Sequence, residues 1–482
     1  MTQLASDKRI EVRQRNVRTA RRVLHKRPSP LPFFAAFAIT LCGSLYVFDR
    51  NTSVFGWVFT FIWSLPAVST VVGVYGMFVA RRKMNETRRV ADNVRASVND
   101  KLLVVVPTIG RHDTYPALER CVMSYIRYLP AYFPYLRIDV ITEEGCAAMA
   151  KIVALAERSP FVRLVVVPRH YQTRAGTRFK ARANHYSHEL RIMEGDVRDD
   201  IWVLHMDDDT AVGPDTAIAI VKFINEQRRS PQPKHLAQGI LTYPRENAAN
   251  WFTWMADSVR PADDLSRFAA LTGGGTPLSG LHGELLLIRS SIEARIGWDF
   301  GPNAITEDAQ LALVFCRLYP GRSDWFEGRC YGASPASVRD FIRQRERWAW
   351  GLVGLAFNQT IPLRHRLFLG YCVSNWVLGP LQNILFVLLV AAVLHVFSLS
   401  PASPYVLILW TMNMAFAAWM YWEGYKANIA SSARARRRPL ELVCLILLVP
   451  VFSLLEGIGG IRGFYRLATR KENEFVVIAK PV

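Results

Sequence analysis

Apolar residues in this chain gather in runs too long for the core elements of a soluble domain. Residues 31–48 and 54–80 form uncharged stretches of eighteen and twenty-seven residues. About 20 apolar residues span a bilayer, so each is long enough to cross. The apolar core of a signal peptide is shorter, and no small-residue cleavage site follows residue 48. Both are read as transmembrane helices joined by a turn at 49–53. Apolar runs return at 367–399, 405–422 and 442–461. The first of these has 33 residues. As a helix it would measure roughly 50 Å, against about 30 Å of hydrocarbon. Gly379-Pro380 is expected to divide it into an interfacial helix and a span from about 381 to 398. The last run holds Pro450, Glu456 and Gly457-Ile458-Gly459-Gly460, and either spans or re-enters.

Charge sets the expected orientation. The chain has 59 Lys and Arg against 40 Asp and Glu, a net +19. Nine of the basic residues fall within residues 1–31, and Arg81, Arg82, Lys83, Arg88 and Arg89 follow the second apolar stretch. Lys426, Arg434, Arg436, Arg437 and Arg438 lie between the last two runs. The linkers at 49–53 and 400–404 hold only Arg50. By the positive-inside rule the tail, the central region and the 424–438 loop face the cytoplasm of a multi-pass plasma-membrane protein. Basic residues at membrane edges each gain about 1 kcal/mol from anionic lipid, which accounts for the charge without nucleic acid as a partner. The spans lack the mid-membrane ionisable residues of a transporter, apart from His395 and Glu456. Seven Cys without framework spacing exclude a disulfide scaffold and fit a reducing compartment.

The central region alternates strand-like and helix-like stretches. Residues 102–106, 138–142, 164–168 and 201–205 read as strands, and residues 117–128 and 147–157 as helices. This alternation predicts an α/β domain with a mainly parallel, Rossmann-like sheet. Ligands of such sheets bind beyond the carboxyl ends of the strands. Three segments there bear chemistry: Pro107-Thr108-Ile109-Gly110-Arg111, Glu143-Glu144-Gly145 and Met206-Asp207-Asp208-Asp209-Thr210. Residues i and i+2 of an extended backbone point the same way, so Asp207 and Asp209 can address one cation. Oxygen ligands suit Mg²⁺ or Mn²⁺, shared with a substrate phosphate. The alternative is a solvated acidic turn, with an Asp capping the helix that starts at Pro214. The acids of 142–145 carry the same alternative.

Thr306-Glu307-Asp308 precedes an apolar helical stretch. The acids are either helix-capping residues after Thr306 or a general base, because neighbouring carboxylates raise one another's pKa. In Gln344-Arg345-Glu346-Arg347-Trp348, a helix would set Gln344, Arg347 and Trp348 on one face. Arg347 suits phosphate and Trp348 a sugar ring; the alternative is an interfacial helix with Trp348 and Trp350 among headgroups. Lys180-Ala-Arg-Ala-Asn184 offers a cation to a diphosphate or is a solvated basic helix.

In this order and spacing, these segments resemble the membrane-bound branch of glycosyltransferase family 2, which includes cellulose, chitin and hyaluronan synthases. Residues 239–251, 256–260 and 262–264, His282-Gly283, the stretch from Gly301-Pro302 to Glu307-Asp308, 326–328, 363–370 and 474–480 look like the egghead-type β-1,4-mannosyltransferases. The resemblance runs from about 102 to 379. Animal relatives carry Asp-Glu-Glu-Thr where this chain has Asp207-Asp208-Asp209-Thr210, and a small hydroxyl residue where it has Glu284.

The resemblance implies a GT-A fold at 81–345, an inverting reaction and a divalent metal, Mg²⁺ or Mn²⁺. Around that domain it implies a basic tail at 1–30, two transmembrane helices at 31–80, interfacial helices at 346–380, transmembrane helices at 381–461 and a tail at 462–482. Asp207 and Asp209 would hold the metal. Pro107, Thr108, Arg111, Glu143, Glu144, Lys180, Asp207, Asp208, Gln344 and Arg347 would bind a nucleotide-sugar donor. Asp308, with Glu307, would be the base. Trp348, His282, Gly283 and Glu284 would face a glycolipid or lipid-linked acceptor. The expected reaction is transfer of mannose from GDP-mannose; the alternative is a processive polysaccharide synthase using a UDP-sugar.

Overall fold

The computed structural model describes residues 2–47, 61–62, 64–393, 404–433 and 438–469. The expected linkers at 49–53 and 400–403 and the segment 474–480 lie outside the described residues.

All four strands read from the sequence form: β1 (Lys101–Pro107), β2 (Tyr135–Glu143), β3 (Val162–Val167) and β4 (Ile201–His205). β1 is a Leu/Val run buried from Leu102 to Pro107, as a strand covered on both faces requires. Pro107 has no N–H and ends it. β2, β1 and β4 pair parallel, with β3 outside β2. The second half is mixed. β5 (Ala211–Val212), β6 (Leu236–Thr242), β7 (Leu286–Arg289) and β8 (Ser323–Tyr331) complete the order β3-β2-β1-β4-β7-β6-β8-β5. β7 runs antiparallel to both β4 and β6, and β6 and β8 are parallel. This is a GT-A-like sheet. The helices Tyr115–Tyr128, Met149–Glu157, Phe179–Met193 and Pro214–Arg229 flank it. The basic N-terminal segment is the helix Thr2–Leu24, packed on Pro214–Arg229 rather than trailing as a tail. Its Arg13 Nε donates to the Ala131 carbonyl at 2.8 Å.

One expectation about the apolar runs changes. The helix Leu363–Val393 continues through Pro380, where a break was expected. A proline removes one hydrogen bond and needs room for its ring. The ring finds that room at Gly457, where a Cβ would come within 2.0 Å of it. The last run is a single helix, Pro439–Ala468, with Pro450 inside it. Among the described residues it alone is long and apolar enough to cross a membrane; residues 31–43 form a shorter apolar helix.

Long helices meet the sheet domain at glycines. A Cβ on Gly76, in the helix Ala67–Val90, would lie 1.7 Å from the Ser266 carbonyl oxygen. One on Gly424, in the helix Pro404–Ser431, would lie 1.6 Å from that of Ser258. Both contacts are to backbone, which cannot swing aside. Overpacking typically costs ~1–3 kcal/mol. Gly76→Ala and Gly424→Ala should each lower the thermal unfolding midpoint of detergent-purified protein. Gly354→Ala, at a helical site with nothing within 4 Å, should leave it unchanged or raise it.

Candidate active site

The carboxyl ends of β1, β2 and β4 open into a cavity of about 790 Å³ that continues between the long helices. Parallel neighbours bring their ends together. Met206 N–H bonds the Val105 carbonyl at 3.0 Å, and Thr108 N–H that of Ile141 at 2.8 Å. Thr108 Oγ1 donates to Asp208 Oδ2 at 2.7 Å, joining the loops after β1 and β4. Pro107, Thr108, Asp207, Asp208 and Asp209 all line the cavity. Asp209 is buried, so the segment is not a solvated turn, and Gly213 rather than an Asp caps the helix at Pro214.

Lys180 stands among the acids. Its Nζ bonds Asp207 Oδ1 and lies 3.9 Å from Glu307 Oε1 and 3.4 Å from the Gly283 carbonyl oxygen. Burial alone would lower the lysine pKa, but Asp207, Glu307, Asp308 and Glu284 raise it and hold it charged. Gly283 sits against this group. A Cβ there would fall 2.2 Å from Lys180 Nζ and 3.4 Å from Asp308 Oδ2.

Glu307 and Asp308 open the helix Glu307–Leu318. Thr306 makes no side-chain cap there; it packs against Gly351, where a Cβ would come within 2.6 Å of it. Burial pushes Glu307 up to about 8, assisted by Asp308 and opposed by Lys180. Burial raises Asp308 too, again opposed by Lys180. Glu307 is enclosed, whereas Asp308 is the more open of the two to the cavity.

Gln344, Arg347 and Trp348 lie on the helix Val338–Phe357, and all three line the cavity as the i, i+3, i+4 spacing predicts. The guanidinium carbons of Arg260 and Arg345 lie 4.5 and 4.6 Å from the Trp348 ring centroid. Trp350 is buried in protein. Glu143 lines the cavity, its two oxygens each 2.5 Å from Arg182 Nη1. Glu144 and Arg111 do not join it. Glu144 turns out to accept the Arg169 N–H at 3.0 Å, and Arg111 pairs with Asp113 at the exposed surface. Both were expected to touch the donor; each follows a strand end, but the turn points it outward.

His282 Nε2 meets Asp264 Oδ1 at 2.7 Å and its Nδ1 meets Arg260 Nη2 at 3.0 Å. Arginine only donates, so Nδ1 accepts and Nε2–H donates to the carboxylate. Glu284 lines the same region, pushed up to about 7 by burial and then by Asp207. The next residue, Leu285, is buried with a left-handed φ of 53°, and Phe179, beside Lys180, has a φ of 56°. These are the positive-φ non-glycine residues among those described, and each adjoins a charged cavity residue.

A divalent cation can be tested against this donor set. Among the described residues no group of three or more His, Cys, Asp or Glu converges on one metal position. Asp207 and Asp209 supply oxygen at the cavity wall. Two carboxylates with no nitrogen or sulfur fit a Mg²⁺-type ion completed by substrate phosphates and water.

Residues 202–422 match the family model described as "Glycosyl transferase family group 2". Over that stretch the chain is similar to that family. It is 32% identical over 254 residues to Beta-1,4-mannosyltransferase egh of Drosophila melanogaster, covering 52% of each chain. It is 26% identical over 332 residues to Beta-1,4-mannosyltransferase bre-3 of Caenorhabditis elegans, covering 67% of this chain and 68% of that one. The C. briggsae bre-3 protein is 29% identical over 231 residues, 47% of this chain and 48% of that one. The match thus spans about half the length of the fly and C. briggsae relatives. The crystal structure of S. aureus TarS 1–349 aligns at a TM-score of 0.31 and 12% identity, over 78% of this chain and 94% of that one, too loosely to carry an argument.

Arg260, Asp264 and Arg182 escaped the reading of family 2 site residues from sequence. All three fall inside segments that carry the resemblance, yet no spacing marks them. They reach the site through short helical turns and salt bridges that only the fold assembles.

The pKa shifts fix the sign of a pH test. A base acts when deprotonated, so raised carboxyl pKa values move the acid limb of kcat/KM above the ordinary carboxylate range. Lys180 holds both groups down, so Lys180→Met should move that limb to higher pH. Glu307 binds its proton more tightly folded than unfolded, so its contribution to stability is lost as pH rises from 4.5 through about 8. Glu307→Gln should therefore gain stability relative to the parent across that window, as read by denaturant midpoints.

Proposed function

We propose that this chain is an inverting, metal-dependent glycosyltransferase that moves a hexose from a nucleotide sugar to a lipid-linked or glycolipid acceptor. Mannose from GDP-mannose, in β-linkage, is the favoured donor group, supported by the similarity to proteins named as β-1,4-mannosyltransferases. The observation that carries the reading is one cavity holding Asp207, Asp209, Lys180, Asp308, Gln344 and Arg347 together. It joins cations for a diphosphate, a carboxylate pair for a hard cation and a carboxylate of raised pKa.

Asp207 and Asp209 would hold Mg²⁺ or Mn²⁺, which when bound neutralises diphosphate charge. Arg347 and Lys180 bind and neutralise the same diphosphate. Glu143, held by Arg182, is suited to accept N–H groups of a nucleobase. Asp308 takes the proton from the acceptor hydroxyl as its oxygen forms a bond to the anomeric carbon. The bond from that carbon to the diphosphate breaks, and the nucleoside diphosphate leaves from the opposite face. Glu307 stays beside Lys180 and raises the basicity of the pair. Glu284, His282 and Gly283 border the acceptor's approach.

The cavity runs on from Asp308 to Asn413, Met420 and Ser453 on the long helices. This supports an amphiphilic acceptor and, with it, a catalytic domain at the cytoplasmic face of the plasma membrane. The same extension favours, as a second reading, a processive synthase whose product leaves between helices.

Purified protein with Mn²⁺ or Mg²⁺ should turn over GDP-mannose selectively among GDP-mannose, UDP-glucose, UDP-N-acetylglucosamine and UDP-galactose. Turnover of a UDP-sugar would transfer the case to the second reading. Asp308→Asn should keep donor affinity and lose about 10²–10⁴ in transfer rate. Asp209→Ala should lose metal-dependent donor binding by calorimetry, and unchanged affinity would sink its role as metal ligand.

A further inference from the structure

A carboxylate in the middle of an apolar helix is costly unless paired. Glu456 sits in the helix Pro439–Ala468, and the reaction described above gives it no task. Both its oxygens are engaged. Oε1 accepts from Arg345 Nε at 2.8 Å and Oε2 from Trp376 Nε1 at 2.8 Å. Arg345 is fully buried, and its other nitrogens are spent in different directions. Nη2 donates to Asp257 Oδ1 at 2.5 Å and Nη1 to Gln344 Oε1 at 2.5 Å. Its guanidinium also lies over the Trp348 ring. One arginine thus joins an apolar helix, a loop of the sheet domain and two side chains of the cavity wall.

The two helices touch closely around this pair. A Cβ on Gly459 would lie 2.4 Å from Arg345 Cβ, and one on Gly463 2.5 Å from the Glu346 carbonyl oxygen. One turn on, Arg466 Nη1 reaches Glu346 Oε1 at 2.9 Å.

We propose that Glu456 is a positioning residue for the catalytic cavity. Through Arg345 it fixes the rotation and height of the helix that presents Gln344, Arg347 and Trp348. Without the carboxylate, Arg345 Nε loses its acceptor and the fork that orients Gln344 turns toward Asp257 alone. The helix loses its reference to the last apolar helix, and the phosphate-facing residues lose their register. The proposal rests on the glycosyltransferase reading for its kinetic readout only.

The test is a comparison of Glu456→Gln, Glu456→Asp, Arg345→Lys and the double variant Arg345→Lys/Glu456→Gln in the full chain. Glu456→Gln should raise the KM for the nucleotide sugar about 10- to 100-fold, the scale of one charged hydrogen bond, with a smaller change in kcat. Glu456→Asp, which keeps the charge, should recover most of that loss. The double variant should be no worse than the poorer single one, since both break one connection. Independent losses, or a fall in kcat at constant donor KM, would overturn the proposal. If Glu456→Gln does not fold, Trp376→Phe carries the test. It removes one hydrogen bond from the same carboxylate while keeping a ring, and an unchanged donor KM overturns the idea. Amide exchange over residues 338–348 needs no turnover. Faster exchange there in Glu456→Gln supports the role even in a chain that transfers no sugar, and parental exchange rates refute it.

Discussion

Too many carboxylates face one enclosed space. Glu143, Asp207, Asp208, Asp209, Glu284, Glu307 and Asp308 meet in a cavity whose wall carries the cations Lys180, Arg260, Arg267 and Arg347. Buried like charges a few ångströms apart cannot all stay ionised without compensation. The structure answers with several devices at once. Lys180 is placed between two acidic segments, Arg182 takes both oxygens of Glu143, and burial holds protons on Glu307 and Glu284 near neutrality. A diphosphate brings more negative charge, so its arrival calls for a further cation. Fold, site and proposed chemistry are thus answers to one electrostatic problem.

The sheet explains why the acids meet. Its four parallel strands end on one side, and β7 turns back antiparallel next to β4. That reversal delivers the His282–Glu284 segment to the side where Asp207 already stands. Further along the chain, the contact of Thr306 with Gly351 binds the start of the helix of Glu307 and Asp308 to the helix of Gln344 and Arg347. A shift of either helix is therefore felt at both the acid pair and the side chains of Gln344 and Arg347.

Much of this was legible in the sequence. A Leu and Val run marked β1 and an apolar run β4, because a strand buried on both faces has no polar alternation to hide it; β2 and β3 were legible from shorter apolar stretches, with Asp139 inside the one and Arg163 inside the other. The spacing of Gln344, Arg347 and Trp348 gave their shared face. What escaped was long-range. Pro380 looked like a helix break, since its pocket is supplied by Gly457, seventy-seven positions on by sequence number (457 − 380). Arg260 and Arg345 carried no mark of their roles, and Glu456 stood out only as a charge in an apolar run. Their partners lie in other elements, and no local pattern announces a pairing across the fold. Glu144 and Arg111 lie outside the cavity lining for a different reason. Strand-end position predicts neighbourhood, while the turn that follows decides which way a side chain points.

The direct contact between Gly424 and the Ser258 carbonyl bears on how the chain is made. The helix that holds Gly424 is synthesised well after the sheet domain whose backbone it touches, and Thr70 Oγ1 meets Asn413 Oδ1 at 2.7 Å across 343 positions of sequence. Until that helix has left the ribosome, the carbonyl of Ser258 lacks its final neighbour. The nascent chain therefore carries an unfinished seam, and a stall of translation between residues 348 and 404 leaves a polypeptide with Lys180, Asp207, Asp308 and Arg347 all present and its frame ajar.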